Sequence, residues 1–367
     1  MPIRFEIVAR DPASGARAGR LHTAHGVIET PAFFPVGTYG SVKGMDPEDL
    51  RLLGAQAVVV NALHLHLRPG EEVVAKLGGI QRFMGWEGPV LSDSGGFQLF
   101  SLEELRKVEE DGVRFRSPLD GSEEFLTPER MIATQRRLGV DLAVCLDECV
   151  RLPATPSREE EGVRRTTAWA DRCRAAWGDG GEGRGLYGSV QGGLDPALRE
   201  RSAREITSIG FDGYAVGGLS VGEDKGETFR VLERTTPLLP GDRPRHLFGV
   251  GTPSDILEGV RRGIDTFDCV LPTRNARNGQ ILTWRQGGVN LRAARFTEET
   301  GPPDPDCGCP VCGRFQAGYL RHLLNRGEML GARLLTLHNL QLYLEWMRRI
   351  RRAILDGGLG ALVAPID

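Results

Sequence analysis

Eight short apolar runs punctuate residues 32–267: Ala32–Val36, Gln56–Val60, Pro89–Leu91, Leu142–Leu146, Leu186–Val190, Gly213–Val216, His246–Val250 and Ile264–Phe267. Helical patterns separate most of them. This alternation commits the chain to parallel pairing, because strands that run the same way need a crossover connection between them. Two architectures satisfy it, an open doubly wound sheet and a closed (β/α)8 TIM barrel. The open sheet carries a G-x-G-x-x-G turn after its first strand, and none follows Ala32–Val36. Eight repeats over about 240 residues match the α/β barrel instead.

Helix starts support this periodicity. Asp46-Pro47, Thr127-Pro128, Asp195-Pro196 and Thr252-Pro253 each place a side-chain oxygen at the N-cap and a proline at the first helical position. There the missing N–H costs nothing. Gly139 and Gly263 fall where a left-handed residue should end a helix. Ahead of the barrel, RFEIVAR and GRLHTAHGVIET read as antiparallel strands joined by the turn DPASG. The expected organisation is an N-terminal antiparallel β segment (1–30) capping a barrel with the active site (31–295). A zinc-binding subdomain (296–340) and a C-terminal helix and tail (341–367) follow, the last helix running Leu334–Ile354.

MPIRFEIVAR has no apolar leader core, and no run approaches the ~18 apolar residues of a membrane helix. The expectation is a soluble cytoplasmic protein. Net charge is −3, which argues against general affinity for nucleic acid, but its distribution is uneven. Residues 269–367 hold 13 arginines and no lysine against 8 carboxylates. Arginine forks match phosphate geometry, so an anion-binding face is expected in the C-terminal part.

The 7 cysteines are not spread as a disulfide framework. Cys307, Cys309 and Cys312 cluster, and His338 lies 26 residues beyond the last, inside an apolar helical pattern. Three thiolates and an imidazole fill a tetrahedral shell with no open position, so a structural zinc site is expected.

In a barrel of this kind the active site lies at the carboxyl ends of the strands. Those ends read Asn61, Asp93, Asp147, Gln191, Gly217-Gly218, Gly249 and Asp268. Three carboxylates and two amides therefore converge, with glycines that let a flat ligand approach the backbone. In SDSGGFQ (Ser92–Gln98), Gly95 and Gly96 permit a tight turn, after which Phe97 can cover a planar group. Two carboxylates in one cleft point to glycosidic-bond chemistry, one attacking the anomeric carbon and one moving a proton. A metal-dependent barrel hydrolase is the rival. It lacks the expected H-x-H at the first strand, since His64 and His66 come after the second.

SDSGGFQ, LDEC (146–149), SVQGG (189–193), AVGGLSVGE (215–223), FDCVLPTRNARNGQ (267–280) and the C-x-C-x2-C…H set stand in one order along the chain. With them the sequence resembles the bacterial tRNA-guanine transglycosylases, or queuine tRNA-ribosyltransferases, over nearly its whole length. The resemblance implies exchange of a wobble guanine for a 7-deazaguanine. It implies Asp268 as the nucleophile, Asp93 as the general acid/base and Asp147 as reader of the base edge. Gln191 and the backbone of Gly217, Gly218 and Leu219 would meet the base carbonyl, and Phe97 would stack on the ring. Cys307, Cys309, Cys312 and His338 match the family's zinc ligands. Arg274, Arg277 and Asn278 would hold neighbouring phosphates and bases of the anticodon loop. Val221 and Cys149 match the bacterial type, which implies 7-aminomethyl-7-deazaguanine as the incoming base. The family is a homodimer, and Phe315, Tyr319 and His322 match its interface. Two departures, NALHL (61–65) for NTYHL and DECVRLP (147–153) for DECTPYP, bear on the base pocket and the dimer surface. A non-catalytic RNA-binding subunit is the other alternative, and retention of Asp93, Asp147 and Asp268 speaks against it.

Overall fold

The computed structural model describes residues 2–101, 106–219 and 221–366, with the side chains of 99–101 left aside. Three antiparallel strands, β1 (Arg4–Arg10), β2 (Arg17–Thr23) and β3 (Gly26–Thr30), open the chain. The reading of GRLHTAHGVIET as one strand needs correction. It turns at Ala24-His25 into the β2–β3 hairpin, with Thr23 facing Gly26 across the register.

The barrel strands β4 (Ala32–Pro35), β5 (Val58–Asn61) and β6 (Val90–Asp93) follow. Then β7 (Arg106–Glu109), β8 (Gly112–Arg116) and β9 (Glu123–Leu126) make a separate antiparallel sheet, an excursion not anticipated from the sequence. The barrel resumes with β10 (Leu142–Val144), β11 (Gly185–Val190), β12 (Gly213–Val216), β13 (Arg245–Leu247) and β14 (Thr266–Cys269). These eight strands pair in parallel in the order β4-β14-β13-β12-β11-β10-β6-β5. A bridge between Val36 and Val59 closes the ring, so the expected (β/α)8 barrel is present. Most expected strand limits move by one to three residues, because each strand ends where ladder pairing stops rather than where apolar residues do.

All four expected Asp/Thr–Pro caps form, each side chain accepting a backbone N–H. A fifth of the same kind, Thr155-Pro156, starts the helix Pro156–Trp177. A hairpin, β15 (Gln280–Thr283) and β16 (Gly287–Asn290), leads to the cysteine loop, and the last helix runs Met329–Leu355.

The amino-terminal sheet plugs the barrel. Ile3, Leu21 and Ile28 pack into one buried cluster with Phe34, Val59, Leu91, Val144 and Tyr187 from the strands. A buried ion pair pins it there. Arg17 on β2 grips both oxygens of Asp265 at 2.8 and 2.6 Å, and the side chains are 1% and 0% exposed. The guanidinium also donates to the carbonyls of Gly241 and Arg243. The backbone N–H of Arg245 completes Asp265. Arg17 is thus satisfied by two carbonyls of one barrel loop and by one carboxylate. Removing one partner of such a pair strands a charge and costs roughly 3–5 kcal/mol, whereas replacing both with apolar groups costs far less. Arg17→Met is expected to lose about that much stability in chemical denaturation, and Arg17→Met/Asp265→Leu to recover part of it.

Candidate active site

The carboxyl mouth of the barrel collects the strand-end residues. Asn61 and Asp93 are register partners on β5 and β6, and the Asn61 amide donates to Asp93 Oδ2 at 3.1 Å. Gln98 donates to the same oxygen at 2.8 Å. The N–H of Gly95 reaches Asp93 Oδ1 at 2.5 Å. Gly95 sits at φ +83°, and a Cβ there would lie 2.6 Å from Leu63. The loop therefore needs glycine to bring its N–H onto the carboxylate. Burial raises the Asp93 pKa, and the charge of Asp268 raises it further, against the pull of these donors. Asp93 is thus suited to carry a proton.

Asp147 follows β10. Its Oδ2 accepts from the Gln191 amide at 2.7 Å. A Cβ at Gly96 would stand 2.3 Å from Asp147 Oδ1, and one at Gly217 would stand 2.5 Å from Gln191 Nε2. Both glycines thus leave room for this amide–carboxylate pair. Gly217 and Gly218 are anchored from behind by Arg199, which is 1% exposed. Arg199 donates to the carbonyls of Gly193, Val190, Gly217 and Gly218. Burial lowers its pKa to about 10.

Asp268, 8% exposed, lies on β14 opposite Phe34. Its Oδ1 accepts from the Gly249 N–H at 3.2 Å and meets His246 Nε2 at 3.2 Å. The next helix, Leu271–Arg277, carries Arg274 and Arg277, with Asn278 at its end. All three are exposed. Phe97, 51% exposed, stands at the rim on the short helix Gly96–Ser101. Cys149 and Val221 form a small buried apolar group with Leu152 packed on it, and Leu219 is buried nearby in sequence.

Cys307, Cys309, Cys312 and His338 come together with their ligand atoms all within 4.8 Å of one another. His338 Nδ1 lies 3.4 Å from Cys309 Sγ and 3.3 Å from Cys312 Sγ. Its Nε2 donates to the Leu282 carbonyl at 2.7 Å, which fixes the ring so that Nδ1 faces the sulfurs. Ligand edges of about 3.8 Å are expected for a tetrahedral thiolate site with metal–sulfur bonds of about 2.3 Å. The cluster fits such an ion, and the donor set could hold one.

The mouth thus gathers Asp93, Asp147, Gln191, Gly217, Gly218 and Asp268. The cysteine cluster lies beyond it, on the hairpin and last-helix side. Two residues of the mouth escaped sequence reading. His246 sits inside an apolar run, and only the register that sets it opposite Thr266, two residues before Asp268, reveals it. Arg199 lies in an amphipathic helix, where one inward arginine gives no local sign.

Burial raises Asp147 from 3.8 to about 6, and Asp93 adds to the effect. The folded state therefore resists ionising this group. Above pH ~6 the charge opposes folding by about 3 kcal/mol, at ~1.4 kcal/mol per pKa unit. The penalty shrinks as pH falls below ~6 and is nearly gone at pH ~4, where the folded carboxyl is protonated and the unfolded one is about half so. Asp147→Asn is expected to be more stable than wild type at pH 7.5 by up to that amount, and to keep little of this advantage at pH 4. Urea titrations at the two pH values check this.

The model of the queuine tRNA-ribosyltransferase family matches residues 11–366. A queuine tRNA-ribosyltransferase of Thioalkalivibrio sulfidiphilus is 52% identical over 99% of this chain and 96% of its own length. That of Nitrosomonas eutropha is 54% identical over 97% of both. One from Pelotomaculum thermopropionicum is 50% identical over 97% and 96%.

Proposed function

The chain belongs to the queuine tRNA-ribosyltransferase family, which are pentosyltransferases, and on that premise we propose the reaction its barrel mouth supports. It exchanges guanine at the wobble position of tRNAs with GUN anticodons for 7-aminomethyl-7-deazaguanine, in queuosine synthesis. The observation that carries this reading is the convergence of three carboxylates, each with its own hydrogen-bond partners.

Asp268 attacks ribose C1′ while the C1′–N9 bond breaks. The departing guanine takes the Asp93 proton at N9. The incoming base then loses its N9 proton to Asp93, and that nitrogen displaces Asp268 from C1′. Two inversions retain configuration, which a single attack by water would not. Ionised Asp147 accepts from N1–H and the 2-amino group. Gln191 and the backbone at Gly218 and Leu219 serve the carbonyl, and Phe97 closes over the ring. Cys149 and Val221 line the 7-position, where their apolar wall admits an aminomethyl group and opposes queuine's larger appendage. The wobble base must leave its stack to enter, at lower cost in a single-stranded loop than in a duplex. Arg274, Arg277 and Asn278, just beyond Asp268, hold the adjoining backbone.

Zinc is the ion that three cysteines and a histidine favour, and with its shell closed it would cross-link the loop to the last helix. The exposed Tyr319, stacked on Phe315 at 5.8 Å, and exposed His322 belong to the surface on which two copies would meet. Among the described residues no helix is long and apolar enough to cross a membrane. A tRNA substrate supports a cytoplasmic enzyme.

Incubation with labelled guanine and a wobble-guanine tRNA should exchange label. 7-Aminomethyl-7-deazaguanine should compete and queuine should not. Wild type should give a tRNA adduct that survives denaturation, absent in Asp268→Asn. An adduct persisting in that variant would refute the assignment. Cys309→Ser should lose the single zinc per chain and melt earlier. A variant that keeps its melting temperature and loses only exchange would make the metal catalytic.

A further inference from the structure

His246 is fully buried (0% exposed). It lies between Phe34 and Phe248, with ring centroids 5.9 and 4.1 Å away. Its two nitrogens meet two groups of β14: Nδ1 lies 2.9 Å from Thr266 Oγ1, and Nε2 lies 3.2 Å from Asp268 Oδ1. Such a ring has two neutral tautomers, and the neighbouring hydroxyl selects one. Thr266 has one proton to give. Its other acceptor, the Arg245 carbonyl, is at 3.5 Å, so the hydroxyl donates to Nδ1. The ring proton then sits on Nε2 and points at Asp268.

Asp268 Oδ1 is thereby held by two donors, Nε2–H of His246 and N–H of Gly249. Among the described residues no hydrogen bond reaches Oδ2. We propose that His246, its tautomer set by Thr266, is the positioning residue for Asp268, and that Oδ2 is the oxygen that bonds to the ribose. The proposal rests on Asp268 being the nucleophile. His246 keeps its proton throughout. An electron pair on Oδ2 forms the bond to C1′, the C1′–N9 pair goes to the base, and the base takes its proton from Asp93. With Oδ1 tethered twice, the carboxylate plane cannot swing, and Oδ2 stays in line with C1′. In the second half-reaction the C1′–Oδ2 pair returns to Oδ2, and the same two donors stabilise the share of that charge which carboxylate resonance passes to Oδ1.

The test is the single-turnover rate of covalent adduct formation, with tRNA affinity measured in parallel. His246→Leu should slow the adduct by roughly 10- to 100-fold, the scale expected for a misplaced reacting group, with tRNA affinity unchanged. His246→Gln offers an amide N–H near the position of Nε2 and should recover most of the rate. Thr266→Val leaves the tautomer unspecified and should fall between them. In wild type, ¹⁵N spectra of the histidines, with His246 assigned by its disappearance in His246→Gln, should show Nε2 protonated and Nδ1 bare. This spectrum decides the tautomer even if His246→Leu does not fold. Protonation at Nδ1 would overturn the proposal, and so would adduct formation in His246→Leu at the wild-type rate. Either result with Asp268→Asn still adduct-free would leave the nucleophile assignment standing. An adduct persisting in Asp268→Asn would instead bring down the underlying reading.

Discussion

Three carboxylates crowd one barrel mouth, and holding that like charge in a partly dry cleft is the constraint to which the surrounding structure answers. The charge of Asp268 raises Asp93, and that of Asp93 raises Asp147. Buried charges survive only where donors meet them. Each carboxylate therefore has separate partners: Asn61, Gln98 and the Gly95 N–H for Asp93, Gln191 for Asp147, and His246 with the Gly249 N–H for Asp268. Burial and the neighbouring charge raise Asp93 and Asp147 against the pull of these donors. Asp93 is left inclined to hold a proton, Asp147 is pushed up to about 6, and among the described residues no hydrogen bond reaches Asp268 Oδ2.

The glycines follow from the same crowding. A Cβ at Gly96, Gly217 or Gly218 would stand within 2.3–2.5 Å of Asp147 or Gln191. Side chains there would displace the Asp147–Gln191 amide–carboxylate pair. Gly95 at φ +83° and Gly218 at φ +64° also hold a backbone conformation in which other residues would be strained, and at Gly95 it turns an N–H onto Asp93. Arg199 supplies the remaining stiffness. By taking up the carbonyls of Gly217 and Gly218, it leaves a glycine-rich loop with little freedom to collapse into the cleft.

Much of this was legible in sequence. Strand alternation leads to the barrel because crossover connections permit few alternatives. Asp93, Asp147, Gln191 and Asp268 are legible because each ends an apolar run, and the cysteine cluster because its spacing is short. What stayed hidden depends on long-range register. Arg17 meets Asp265 across 248 residues, and nothing local marks either as half of an ion pair. His246 looks like a strand residue until β13 and β14 are aligned. The excursion β7–β9 and the turn at Ala24-His25 were missed because short half-exposed strands show weak alternation.

The cysteine cluster stands apart from the barrel mouth, yet the last helix connects them. His338 faces the sulfurs through Nδ1 and the Leu282 carbonyl through Nε2. The next residue, Asn339, accepts from the Leu282 N–H at 2.8 Å and donates to the carbonyls of Gln280 and Pro272 at 3.1 and 3.0 Å. Pro272 lies in the first turn of the helix that carries Arg274 and Arg277. One turn further along the last helix, Tyr343 donates to the Gly251 carbonyl, and Trp346 donates to that of Pro253. One helix thus takes its orientation from the cluster and passes it to the arginine-bearing helix beside Asp268 and to the loop after β13. A metal held there would act on catalysis only through this geometry, by fixing where the arginines stand relative to the carboxylate three residues before their helix.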